Sequence, residues 1–191
     1  MTKSTVYKSV GRLDMYSAQN RFIHYMNRFA LIGVLVFSAV GMVLNYVFRM
    51  LGAPGGLYLL CCILCVPICV AYIYIHEYLH ALAVLMIKKE RPRIKFDKLI
   101  ASCGSNTIVF GKAEYFFVAT FPFLFFCAVL IPLCIFLPPL FFPMPFAPLI
   151  YNLFGSAGDF YMIKRALSLP KGGAVIDKGA EIVLYVPVEG N

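Results

Sequence analysis

The chain has 191 residues, 61% of them apolar or aromatic and 14% charged, with a mean hydropathy of +0.82. Soluble domains average roughly 25% charged residues, so this composition excludes an ordinary soluble globule and a disordered chain. Seven cysteines, an odd number set mostly within apolar runs, argue against a secreted disulfide scaffold. What remains is an all-α polytopic membrane protein, read as a single domain over 1–191 with about four transmembrane helices.

Segment 1–28 is polar and reads as cytoplasmic or interfacial. Leu13, Tyr16, Phe22, Ile23, Met26 and Phe29 recur at roughly helical spacing, which fits a helix on the membrane surface or one capping the bundle. No cleavable signal peptide is expected, because these residues are too many and too polar for an n-region. The first span is 29–48. The second, 57–87, exceeds the roughly 20 residues a bilayer needs, so it tilts, kinks near Pro67 or extends past the hydrocarbon.

Residues 88–114 are too polar for lipid and predict a membrane-surface β-hairpin over 94–110, with Gly104-Ser105-Asn106 as its turn. The third span is 115–137. Prolines 138, 139, 143, 145 and 148 then mark a short turn, read as 138–147, before a fourth span over 145–167. The tail, 168–191, holds one strand-like run from Ile182 to Val186.

The charges orient this layout. Sixteen of the 17 Lys and Arg fall before span one, between spans two and three, or after span four; Arg49 is the exception. The positive-inside rule makes that side cytoplasmic, with both termini in. The net charge of +8 is therefore accounted for without nucleic acid, which is not expected as a partner. The basic run 88–98 fits an anionic lipid surface.

Span two carries Ile75-His76-Glu77-Tyr78-Leu79-His80-Ala81, an H-E-x-x-H motif. On a helix, residues four apart share a face, so His76 and His80 offer two imidazoles to one metal ion. Glu77 sits beside them, where it can take a proton from bound water. With three His and five Glu in the chain, chance gives about 0.001 such matches. Charge inside a span costs several kcal/mol, about 2.5–3.5 on insertion scales, so these residues signal function.

A third protein ligand is needed. Among the acids other than Glu77, only Asp159 lies within an apolar span. His80 lies about 12 Å of helix before Lys88 and Asp159 about 7.5 Å before Lys164, at about 1.5 Å per residue, so both sit at similar depth on the cytoplasmic side. His24 is the rival ligand.

The HEYLH motif inside an apolar helix, followed by an intramembrane Asp, resembles the site-2 protease class of intramembrane zinc metalloproteases. More closely, the short length, the HEYLHAL core, the Asn152–Asp159 segment and a tail containing D-x-G resemble the bacterial zincin peptidase membrane family. The resemblance covers about 57 to 185. It implies one Zn2+ held by His76, His80 and Asp159, with Glu77 activating water to hydrolyse a membrane-protein or membrane-associated peptide. It also implies that the hairpin can bind substrate as an added strand. The site-2 pattern has Asp followed by Gly, with Asn and Pro upstream. Here Gly158 precedes Asp159, Asn152 lies seven residues upstream, and the segment has no Pro.

Asn152 is a candidate substrate contact, and otherwise an interhelical hydrogen-bonding residue. Tyr78 is a candidate donor to a tetrahedral intermediate, and otherwise packs between helices. Cys61, Cys65 and Cys69 step by four and read as small packing residues. Two other classes stay open: a non-proteolytic zinc-binding scaffold or pseudo-protease, and a small transporter or channel.

Overall fold

The computed structural model describes residues 6–14, 55–97, 100–179 and 181–188, with isolated helical positions between 28 and 47. Most of the predicted span 29–48 and most of the predicted N-terminal helix lie outside the described residues. The chain forms two compact units. One takes Met1–Asn20, His76–Pro122 and Gly158–Asn191; the other takes Arg21–Ile75 and Phe123–Ala157.

Two long helices carry the apolar sequence. Helix α1 is Gly55–Lys88, 34 residues with Pro67 inside it. At about 1.5 Å per residue it is about 51 Å long, well beyond the roughly 30 Å of a hydrocarbon core. It ends where Lys89 turns left-handed (φ 56°) and Pro92 forbids continuation. Helix α2 is Lys112–Phe136. Its first turn is closed by Glu114, whose Oε2 accepts the Gly111 amide at 2.7 Å and the Lys88 ammonium at 2.6 Å. Among the described residues these two helices are long and apolar enough to cross a membrane. Both expose large apolar side chains, including Val66 at 68% and Phe136 at 82%.

The predicted fourth span is not one helix. After a 3-10 turn at Pro139–Phe141, helix α3 runs Pro143–Gly155 and helix α4 runs Ala157–Leu167, with Ser156 as the step between them. Prolines 143 and 145 sit in the first turn of α3, where a missing amide costs nothing, so the helix starts earlier than 145. The break falls in Gly155-Ser156-Ala157-Gly158, four small residues with little side chain to hold a helix straight.

The expectation of an all-α chain is corrected by a small sheet. Strands β1 (Val6–Asp14), β4 (Val109–Gly111), β5 (Ala174–Asp177) and β6 (Glu181–Val188) form a four-stranded antiparallel sheet in the order β1-β6-β5-β4. β1 carries a register shift between Ser9 and Gly11. Leu13, read as part of a helix, pairs with Ile182 in this sheet. The predicted hairpin exists as β2 (Arg93–Asp97) and β3 (Ile100–Gly104), paired Asp97 to Ile100 and Arg93 to Gly104. Gly104-Ser105-Asn106 is therefore not its turn but leads out of β3.

The core of the first unit lies where this sheet meets the helices. Val175 and Ile182 (each 0% exposed) pack with Ala83, Tyr115, Val118 and Ala166. In the second unit Tyr72 is the hub. Its ring lies 4.4 Å from Phe126 and 5.6 Å from Tyr151, centroid to centroid.

Candidate metal centre

His76 and His80 lie one turn apart on α1, with ring centroids 4.9 Å apart. Both present Nε2 to the same oxygen, Asp159 Oδ2, at 3.3 and 3.5 Å. Asp159 stands in the first turn of α4, where the helix dipole favours a carboxylate. His80 Nδ1 lies 3.0 Å from the Val118 carbonyl oxygen on α2. A carbonyl only accepts, so Nδ1 carries a proton, and in the neutral ring that leaves Nε2 as the nitrogen able to bind a metal.

The donor set suits zinc. Bonds of about 2.0–2.1 Å in a tetrahedron place ligand atoms about 3.3–3.4 Å apart. The two Nε2–Oδ2 separations match that spacing, and the three ligand atoms lie within 4.8 Å of one another. Three protein ligands leave a fourth position for water or substrate.

Glu77 follows His76 and faces the hairpin. Cys103 on β3, His80, Asp159 and Asp177 lie within electrostatic reach of its carboxylate. Asp177 is the residue that the sequence reading passed over, as an acid in a polar tail. At the end of β5 it comes within electrostatic reach of Asp159, His80 and Tyr115, and its Oδ1 accepts the Gly179 amide. Burial pushes its carboxyl up to about 6, against the hydrogen bonds that favour the anion. Burial, with Glu77 and Asp177 nearby, pushes the Cys103 thiol up to about 12. The Asp177-Lys178-Gly179 turn was the one signal of this placement in the sequence.

The other expected residues have other surroundings. Asn152 belongs to the second unit and is fully buried. Its Oδ1 accepts Tyr72 Oη at 2.9 Å and its Nδ2 donates to the Phe123 carbonyl at 3.2 Å. Tyr78 is 57% exposed. His24 lies outside the described residues. The seven cysteines form no disulfide.

A family model described as putative zincin peptidase matches residues 68–173, over half of the chain, including His76, Glu77, His80 and Asp159. No curated protein and no solved structure matches the chain.

Proposed function

The chain belongs to the zincin peptidase family, and from that membership we propose that it is an integral-membrane zinc metallopeptidase of the HExxH type. It hydrolyses peptide bonds of membrane-protein or membrane-associated substrates in or near the cytoplasmic side of the bilayer. The observation that carries this reading is the meeting of His76 and His80 Nε2 on Asp159 Oδ2, with Glu77 alongside. The exposed apolar flanks of α1 and α2 support a bilayer around them.

His76, His80 and Asp159 hold the metal. Zinc bound there supplies a Lewis acid for the scissile carbonyl and lowers the pKa of water toward about 7. Glu77 takes a proton from the attacking water at its carboxylate and returns it to the leaving amine. The Val118 carbonyl holds His80 in the tautomer that frees Nε2. A substrate strand can add to the outer edge of β2, because on β3 the outward Ser105 amide is already used by the Asp177 carbonyl.

The test is Glu77→Gln, purified in detergent and assayed on a panel of fluorogenic peptides and transmembrane-segment reporters. The variant should keep one zinc per chain and lose about 10²–10⁴-fold in turnover. Wild-type turnover by the variant, or a wild type that binds zinc and cleaves nothing, would overturn the reading.

A further inference from the structure

We infer that the β2–β3 hairpin and the Asp177-Lys178-Gly179 turn build a pocket for a phosphate group. A cavity of about 210 Å³ lies between them. A water takes about 30 Å³ of liquid, so a four-oxygen anion has room there. Arg93, Lys95 and Lys178 give its wall three positive charges, and Ser105, Asn106 and Thr107 add neutral polar groups. Among the described residues no acid lines it.

The fold gathers these cations from two distant stretches of chain. Arg93 and Lys95 are two apart on β2 and share a face. Their cross-strand partners are Gly104 and Ser102, whose Cβ positions point to the same side. A Cβ on Gly104 would overlap the backbone of Lys178 and Gly179, and one on Gly179 would press on Ser102. The turn therefore lies on the cationic face, and the bare Gly104 lets it close in. It is fixed there. The Ser105 amide donates to the Asp177 carbonyl at 2.7 Å, and Asp177 Oδ1 accepts the Gly179 amide at 2.7 Å. Lys178 has only a long ion pair, 3.9 Å to Glu181, and Arg93 and Lys95 have none among the described residues. Like charges held together repel, and an anion between them relieves that cost. The planar fork of Arg93 matches phosphate oxygens in pairs. The hairpin follows directly on the end of α1 at Lys88, and lipid phosphates stand where apolar helices leave a bilayer. A phospholipid headgroup and a soluble phosphate are thus two sources of the same chemistry.

The test titrates full-length protein in neutral detergent with inorganic phosphate and with dihexanoyl phosphatidylglycerol, read by calorimetry. Saturable binding of one phosphate group per chain is expected. Arg93→Gln/Lys95→Gln should weaken it about tenfold or more. Arg93→Lys and Lys178→Gln should each weaken it too, the first because lysine lacks the fork. Lys89→Gln/Arg91→Gln removes the same charge from exposed residues outside the pocket, and should change binding less than about threefold. Arg93 and Lys95 are themselves exposed, so unchanged melting temperatures are expected and show that the variants are folded. A lipid that binds at least tenfold tighter than inorganic phosphate makes the source a headgroup, and any smaller preference makes it a soluble phosphate. Equal weakening by the two double variants, no saturable binding, or a glutamate-rich peptide that binds tighter than both phosphate probes would overturn the inference. The titration needs neither zinc nor substrate, so it stands or falls separately from the peptidase reading.

Discussion

A single carboxylate oxygen, Asp159 Oδ2, serves two imidazoles. That economy makes Asp159 the residue on which the metal set depends. Asp159→Ala leaves two ligands on one helix face, too few for a closed zinc site. Such protein, dialysed against a chelator that spares the wild type, should emerge with zinc near zero by elemental analysis. Full zinc content would remove Asp159 from the set. The ligands were legible in the sequence because each is a polar side chain in an apolar run, where its cost demands a reason. The groups that orient them were not. The Val118 carbonyl belongs to the backbone and leaves no trace in residue type. Asp177 was hidden differently, since its neighbours in sequence are polar and only the fold turns it inward.

At the scale of elements, α1 and α2 were legible to within a few residues, because unbroken apolar runs longer than a globular helix have one common explanation. The fourth span misled. Its hydropathy persists across Gly155–Gly158, but persistence of hydropathy is not persistence of helix. Ser156, at the step, is fully buried, and its hydroxyl has no hydrogen-bond partner among the described residues. An orphaned buried hydroxyl costs about 1–3 kcal/mol. Ser156→Ala should therefore raise the melting temperature in detergent, by the equivalent of about 1 kcal/mol. A lowered one would mean that the hydroxyl has a partner. Strand β1 was missed because its register shift between Ser9 and Gly11 interrupts the alternation by which strands are read. Ile182–Val186 was found because three of its residues, Ile182, Val183 and Leu184, are buried in a row.

At the scale of the whole chain, the unit that carries the candidate metal site is assembled from three separate stretches. His76 and His80 come from the middle, Asp159 from a later helix, and the sheet from both ends of the described sequence with β4 from the middle. Its order, β1-β6-β5-β4, places β6 between the N-terminal strand and the strand that carries Asp177. The two long helices enter this unit and also the other. The basic segments and the Asp177 turn belong to polar stretches, the ligands to apolar ones, and the unit joins the two.

Among the described residues that sheet ends in β1, nine residues long and paired with β6 on one side only. An open strand of that length is a template on which a second chain can crystallise its own backbone, the first step toward aggregation. Three features spoil the template: the ammonium of Lys8, the guanidinium of Arg12, held 3.6 Å from Glu181, and the bulge at Ser9–Gly11 that twists the edge. The double variant Lys8→Thr/Arg12→Thr removes the charge and raises β propensity. It should move detergent-solubilised protein toward larger species on size exclusion at a concentration where the wild type is monodisperse. An unchanged elution profile would show that the bulge alone guards the edge. The cations of β1, which first counted only toward the orientation of the chain, thus also keep neighbouring copies of it apart.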